Sequence, residues 1–270
     1  MIRSNYHTHS VFCDGKNTPE EMVQEALRLG MTHLGFSGHM DPDIHMDMPA
    51  YVQEIRRLQQ KYAGQIDLLL GVELDNMYAP GCASEAEYSI GSTHFMDVQA
   101  DIPLSVDNTE EMILRLIREF YGGDPYAMAA AYYDLEARVY DRLHCTFVGH
   151  FDLITRFNDA MHFLDESDPR YLKPALSAME YLVSQDVPFE INCGAYYRGR
   201  KKELYPNTVL LKALHAFGGR IFISSDAHQK EHLTSGFDHA AQAAAACGFR
   251  QYLILEHDEH GHVAMREMPL

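Results

Sequence analysis

Histidines and carboxylates recur in this sequence at the downstream ends of short apolar runs. Ile2–Tyr6 leads into His7-Thr8-His9, with Asp14 five residues further on. Thr32–Ser37 ends in Gly38-His39, Ile66–Val72 in Glu73, and Tyr88–Thr93 in His94. Cys145–Gly149 ends in His150-Phe151-Asp152, and Arg220–Ser225 in Asp226-Ala227-His228. Neutral imidazole and ionised carboxylate are the usual ligands of zinc, manganese and iron. A lone His or Asp after a strand is ordinarily a loop residue or a helix cap, so the joint pattern carries the reading. His7-x-His9 is its strongest member. The period-two alternation of a strand puts both rings on one face, and Asp226-x-His228 repeats that geometry. In a parallel α/β barrel the strand C-termini converge on one face. Nine such ligands delivered there, His7, His9, Asp14, His39, Glu73, His94, His150, Asp226 and His228, would build a site for several metal ions.

The segments between these runs supply the crossovers that a parallel sheet needs. Thr18-Pro19-Glu20-Glu21 is a capping box with Pro at the first helical position, and Gly30 stops the helix that follows. Further helices are expected over Pro49–Tyr62, Asp107–Leu143 with a break at Gly122–Pro125, Arg170–Ser184, Pro206–Phe217 and Phe237–Cys247. Strands are expected at Val187–Ile191 and, to complete the chain, at Gln251–Leu255, with a basic loop over Tyr196–Leu204. His33, His144, His162, His215, His257, His260 and His262 read as structural or surface residues.

The 270 residues suffice for a full core in one domain. A hydrophobic content of 46% with 23% charged residues excludes disorder and fits a soluble globular enzyme. The net charge of −17 disfavours a nucleic-acid groove, which needs a basic surface. It is compatible with a small phosphorylated substrate, because metal ions reverse the local sign. The five cysteines are scattered and form no C-x-x-C pair, which reads as reduced thiols in a cytoplasmic protein. No run approaches the length of a membrane span or a signal peptide.

In order along the chain, the blocks NYHTHSVFCDG, SGHM, GVELD, GSTH, GHFDLI, FEIN and SSDAH resemble the polymerase-and-histidinol-phosphatase (PHP) superfamily. The length, Asp14, GHFDLITRF, and an E-x-N strand followed by a basic loop and Tyr-Pro resemble its histidinol-phosphate phosphatase branch. The resemblance implies a distorted (β/α)7 TIM-like barrel in a single domain over residues 1–270. It implies three divalent metal ions (Mn, Fe or Zn) and hydrolysis of L-histidinol phosphate, a step of histidine biosynthesis. Carried over residue by residue, His7, His9, Glu73 and Asp226 would hold the first ion. Glu73, His94 and His150 would hold the second, and Asp14, His39 and His228 the third. Glu73, Asp226, Asp14 and Asp152 would then be the catalytic carboxylates. Asp152 would either support a ligand histidine or protonate the leaving alkoxide.

Six neutral imidazoles and three carboxylates sum to −3, and three divalent ions would leave +3. That suits a phosphate monoester of about −1.5 to −2. Arg156, Arg198 and Arg200 are the candidate phosphate-binding groups, since the guanidinium fork matches phosphate. Glu190 and Asn192 share a strand face, and both are expected to support the ligands from behind. Three alternatives differ in sequence features. A phosphoesterase on another small phosphate or a nucleotide shares the ligands, but strand binding would need a basic track, and only Arg198–Lys202 offers one. An amidohydrolase usually needs a bridging lysine on a middle strand, and the strands around Glu73 and His94 have none. A non-catalytic module of the superfamily loses ligands that this chain retains.

Overall fold

The computed structural model describes residues 2–44, 46–78, 81 and 84–270. Seven strands, β1 (Ser4–Asn5), β2 (His33–Met40), β3 (Asp67–Asp75), β4 (Tyr88–Ser92), β5 (Phe147–Val148), β6 (Phe189–Asn192) and β7 (Ile221–Ser224), lie in sequence order in one sheet. Every neighbouring pair is parallel. A parallel bridge between Thr8 and Ala227 brings the two edges together. His9 N–H donates to the Ala227 carbonyl at 2.8 Å, and Ala227 N–H to that of His7 at 3.2 Å. Seven parallel strands, joined at their edges and wrapped by helices, make the expected TIM-like barrel.

Aromatic rings fill the barrel beneath the strand ends. Tyr6 meets Tyr88 and Phe222 with centroids 6.0 and 5.8 Å apart, and Phe147 meets Phe222 at 4.6 Å. Each ring precedes a candidate ligand in the chain by one to six residues, so the plug forms the floor under the site. Tyr88 fits only because Gly35 and Gly71 face it. A Cβ on either would come within 2.3 Å of the ring or its hydroxyl.

The first helix, α1 (Pro19–Arg28), has the expected capping box: Thr18 and Glu21 satisfy each other's backbone N–H. The expected long helical stretch is divided by the positive-φ pair Gly122 and Gly123. Before it come α3 (Glu110–Arg115) and a π turn over Leu116–Phe120. After it come α4 (Pro125–Ala137) and α5 (Val139–Leu143). α2 (Met48–Lys61), α7 (Pro169–Ser184), α9 (Thr208–Ala216) and α10 (Phe237–Cys247) cover the barrel, with two short helices, α6 (Asn158–Met161) and α8 (Gly194–Tyr197), in the loops.

The C-terminal segment departs from expectation. β8 (Gln251–His257) pairs antiparallel with β9 (Val263–Pro269) in a separate hairpin. Tyr252–Leu255 is a continuous buried run, which reads like a parallel strand. β9 is largely exposed and carries no apolar pattern, so it was not legible. The hairpin packs where the barrel strands begin. Leu255 exchanges hydrogen bonds with the Tyr6 hydroxyl, and His257 pairs with Asp67, the first residue of β3. Cys13, Cys145, Cys193 and Cys247 are free, as expected, while Cys82 lies outside the described residues. No described helix is long and apolar enough to cross a membrane.

Candidate active site

All nine predicted ligands meet at the C-terminal strand ends. The register places His39 of β2 opposite Glu73 of β3, and the bridge at Thr8 fixes His7 and His9 beside Asp226. Glu73 is the hub, and its two oxygens serve different rings. Oε1 lies 2.9 Å from His150 Nε2 and 3.3 Å from His94 Nε2, and it accepts from the Ser92 hydroxyl at 2.7 Å. Oε2 lies 3.1 Å from His7 Nε2, 3.1 Å from His39 Nδ1 and 3.6 Å from His9 Nε2. A second nucleus forms at the rim. There His228 Nε2 lies 3.0 Å from Asp14 Oδ2 and His228 Nδ1 3.3 Å from Asp226 Oδ1. His39 Nε2 also lies 3.8 Å from Asp14, so His39 stands between the two nuclei. Four compact ligand groups result: His7/His9/Asp226, His7/Glu73/His150, His39/Glu73/His94 and His9/Asp14/His39/His228.

The donor set fits cations. The Nδ1 of His7 faces Glu190 Oε1 at 2.8 Å. A carboxylate there can only accept, so Nδ1 donates and a neutral His7 turns a lone pair on Glu73 and Asp226. That contact repels unless a positive charge occupies it. Without a metal the charge is a proton: burial pulls His7 and His94 down, yet Glu190 and Glu73 around the one, and Glu73 and Asp75 around the other, raise both well above the ordinary value. Burial and the neighbouring His228 and His39 push His9 down to about 3, leaving it neutral and ready to ligate. His9 Nε2 and His39 Nδ1 are buried with no hydrogen-bond partner, and both point at the same Glu73 oxygen. Asp226 has φ 53°, a left-handed conformation costly for a residue other than Gly. Arg198 fixes it there, through Nη1 to its carbonyl and Nη2 to Oδ2, each at 3.0 Å. Burial opposes the Asp226 charge, but Arg198 and His7 hold its carboxyl well below the usual range.

Supporting groups stand behind the rings. Glu190 is buried and bonded at both oxygens: besides His7, it accepts from the His150 N–H and from Asn192 Nδ2, both at 3.0 Å. Asn192 Oδ1 in turn accepts from the Gly194 N–H at 2.7 Å. Asp75 accepts the His94 N–H at 2.7 Å and was not singled out, although strand alternation places it on the face of Glu73. Asp152 is placed differently. It is buried outside the cavity lining, accepts the Asn207 N–H at 3.0 Å, and is pushed by burial up to about 7. Among the described residues its carboxyl bonds Asn207 and no ligand histidine.

Above the ligands opens a cavity of about 330 Å³. Arg156, Arg198 and Arg200 all line it, with Lys16 and Asp107, which sequence reasoning missed. Arg156 and Arg198, together with partial burial, lower the pKa of Arg200, so the three guanidiniums converge. The Arg200 guanidinium makes no hydrogen bond or ion pair among the described residues, whereas Arg156 pairs with Asp107 at 3.3 Å. The basic loop is not a continuous track. Lys201 turns inward, bonding Thr155 and lying 3.7 Å from Glu166. Of the other histidines, His257 sits between Asp67 and Glu87, and His260 and His262 are exposed.

Fold and site together define a parallel barrel carrying a buried histidine–carboxylate centre for divalent metal. A family model described as PHP domain matches residues 5–194, and the chain belongs to that family. It is 30% identical over 244 residues to a protein of Deinococcus radiodurans named probable histidinol-phosphatase, covering 83% of this chain and 85% of that one. It is 26% identical over 284 residues to a protein of the same name from Schizosaccharomyces pombe, covering 95% and 90%. Among solved structures, the histidinol phosphate phosphatase of Lactococcus lactis, complexed with zinc, L-histidinol and phosphate, matches with a TM-score of 0.74. The identity is 22%, and the match covers 94% of this chain and 97% of that one.

Proposed function

We propose that this chain is a metal-dependent phosphomonoesterase that hydrolyses L-histidinol phosphate to L-histidinol and phosphate. One observation carries the reading: nine histidine and carboxylate side chains that could hold metal ions gather beneath a cavity lined by three arginines. The relatives named histidinol-phosphatase span nearly its whole length and supply the substrate. The barrel and its hairpin are read as one catalytic domain over residues 1–270. The free thiols suit a reducing, cytoplasmic setting.

Three ions of manganese, iron or zinc would sit in this centre. His7, His9, Glu73 and Asp226 would hold the first, Glu73, His94 and His150 the second, and Asp14, His39 and His228 the third. When bound, such ions make a nucleophile from water at neutral pH and neutralise phosphoryl charge. The chain does the rest. Glu190 fixes the tautomer of His7 and, through the His150 backbone, the pose of a second ring. Arg198 locks Asp226 in its strained conformation and still faces the cavity. Arg156 and Arg200, less committed, clamp the non-bridging phosphate oxygens. With Asp152 turned away, the leaving alkoxide takes its proton from a cavity group or from solvent.

A nuclease reading is disfavoured because the inward turn of Lys201 leaves no basic path along which a strand could run. The test is phosphate release by protein purified without chelator, across amino-alcohol, sugar and nucleotide phosphates. Histidinol phosphate should show the highest kcat/KM, with near three equivalents of metal per chain. A nucleotide turned over far better would replace this reading, and full activity with one equivalent of metal would remove the trinuclear one.

A further inference from the structure

Four carboxylates line the cavity, and one of them has no part in the metal-ligand groups. Asp14, Glu73 and Asp226 all belong to histidine clusters; Asp107 does not. Its route into the cavity is separate from the barrel strands. After His94 the chain doubles back through an antiparallel bridge between Phe95 and Ser105, and Val106 N–H donates to the His94 carbonyl at 2.8 Å. This pins Asp107 beside a ligand histidine. The Ser105 hydroxyl donates to Oδ1 at 2.5 Å and Arg156 Nη1 to Oδ2 at 3.3 Å. A carboxylate offers about four acceptor positions, so each oxygen keeps one free. The side chain is 20% exposed, and that exposure is into the cavity. The Arg156 guanidinium paired with it favours the ionised carboxylate over the neutral acid.

A cavity built for phosphate alone gains nothing from this group. A fixed negative charge beside the phosphate site repels every phosphate ester that carries no compensating positive group, which is how sites reject wrong partners. An amino-alcohol phosphate carries such a group, an ammonium on the carbon next to the ester methylene. We propose that Asp107 receives this ammonium and makes the site selective for amino-alcohol phosphates over neutral-tailed phosphate monoesters. The inference rests on the phosphatase reading above and adds the residue that sets its specificity. The long bond to Arg156 suits the role, because phosphate held by Arg156 then brings the adjacent ammonium to the free face of Asp107.

The test compares Asp107→Asn with the unaltered protein, both metal-loaded, on histidinol phosphate and on phenyl phosphate. Asn keeps the shape and the acceptor toward Ser105. For histidinol phosphate, kcat/KM should fall roughly 10- to 100-fold, mainly through KM, as expected for the loss of a charged hydrogen bond. For phenyl phosphate it should stay within about 3-fold or rise, because a repulsive charge is gone. Asp107→Glu should recover part of the discrimination. Equal losses on both substrates would overturn the proposal and leave Asp107 as a prop for Arg156; no loss on either would also overturn it. If the unaltered protein released phosphate from neither substrate, the phosphatase reading itself would fall. Calorimetric titration with L-histidinol alone would then decide Asp107: weaker binding by the Asn variant supports the ammonium site, and equal binding refutes it.

Discussion

Replacing Glu73 by Gln should nearly abolish turnover, and the structure indicates how far. Oε1 faces His94 and His150, and Oε2 faces His7, His9 and His39, all within 3.6 Å. An amide has one acceptor oxygen and one NH2. Whichever way it turns, a donor points into one set of rings where an ion and its ligands require an acceptor. The ligand charge also falls from −3 to −2. Breaking a buried charged contact while leaving its partner in place costs about 3–5 kcal/mol. Placed on metal binding, that weakens affinity by roughly 10²- to 10³-fold or more.

His39→Gln is the internal control. His39 lies nearer solvent, its side chain 11% exposed, and it contacts only one oxygen of Glu73. Its loss should cost about tenfold to a hundredfold, partly recovered by excess manganese, whereas Glu73→Gln should lose at least about 10³-fold in kcat. The assay pairs elemental analysis of each variant with phosphate release at saturating substrate, after a thermal melt shows that each is folded. If Glu73→Gln kept its full metal complement and lost less than tenfold in kcat, the hub role argued from these distances would be wrong.

Arg200→Ala should raise KM roughly 10- to 100-fold with metal content unchanged, because its guanidinium lines the cavity and bonds no metal-ligating residue among the described residues. Arg198→Ala should lower metal content as well, since Arg198 holds Asp226; unchanged metal in both variants would separate Arg198 from the centre. Metal affinity should fall steeply as pH drops below about 7. His7 and His94 hold protons above their ordinary range, and acid favours those protons over metal; binding measured by a competing chelator and flat from pH 8 to 5 would contradict this. His257 stabilises the hairpin in the opposite pH sense to a carboxylate. Burial lowers its pKa, but Asp67 and Glu87 more than offset this and raise it in the folded state. Its stabilisation is therefore full below about 6.5 and lost as pH rises through the raised value. His257→Gln should lower Tm more at pH 6 than at pH 9, and an equal drop at both would refute the ionic clamp.

Most ligands were legible because strand alternation and strand ends are local facts: His7-x-His9 and Asp226-x-His228 need only period two, and His39, Glu73, His94 and His150 need only a run that stops, whereas Asp14 lies in a turn five residues past His9. What the sequence hid depends on the chain returning from elsewhere. Asp107 belongs to no strand pattern and enters through a bridge between Phe95 and Ser105. Lys16 sits in a turn whose N–H donates to the His228 carbonyl, a contact spanning most of the chain. β9 was missed because an exposed strand on a hairpin needs no apolar code. Asp152 was drawn toward the site by its place two residues after His150, but the 3₁₀ turn over Leu153–Thr155 carries the chain away and leaves its carboxyl on Asn207.

The charge distribution explains how so acidic a chain can take an anion. The protein has 39 acidic and 22 basic residues, an excess that would repel a phosphate at long range. The cavity lining does not share it: Lys16, Arg156, Arg198 and Arg200 match Asp14, Glu73, Asp107 and Asp226 one for one. Three of those carboxylates lie in ligand groups, so each divalent ion added there shifts the cavity by two units toward positive, while the rest of the surface stays negative. The phosphate therefore finds its favourable potential only inside the cavity. A substrate carrying its own ammonium approaches with less net negative charge than a simple phosphate ester, and it meets at Asp107 the one lining carboxylate that no ligand group claims. The global acidity and the local carboxylate thus act in the same direction, against anions with neutral tails and in favour of zwitterionic ones.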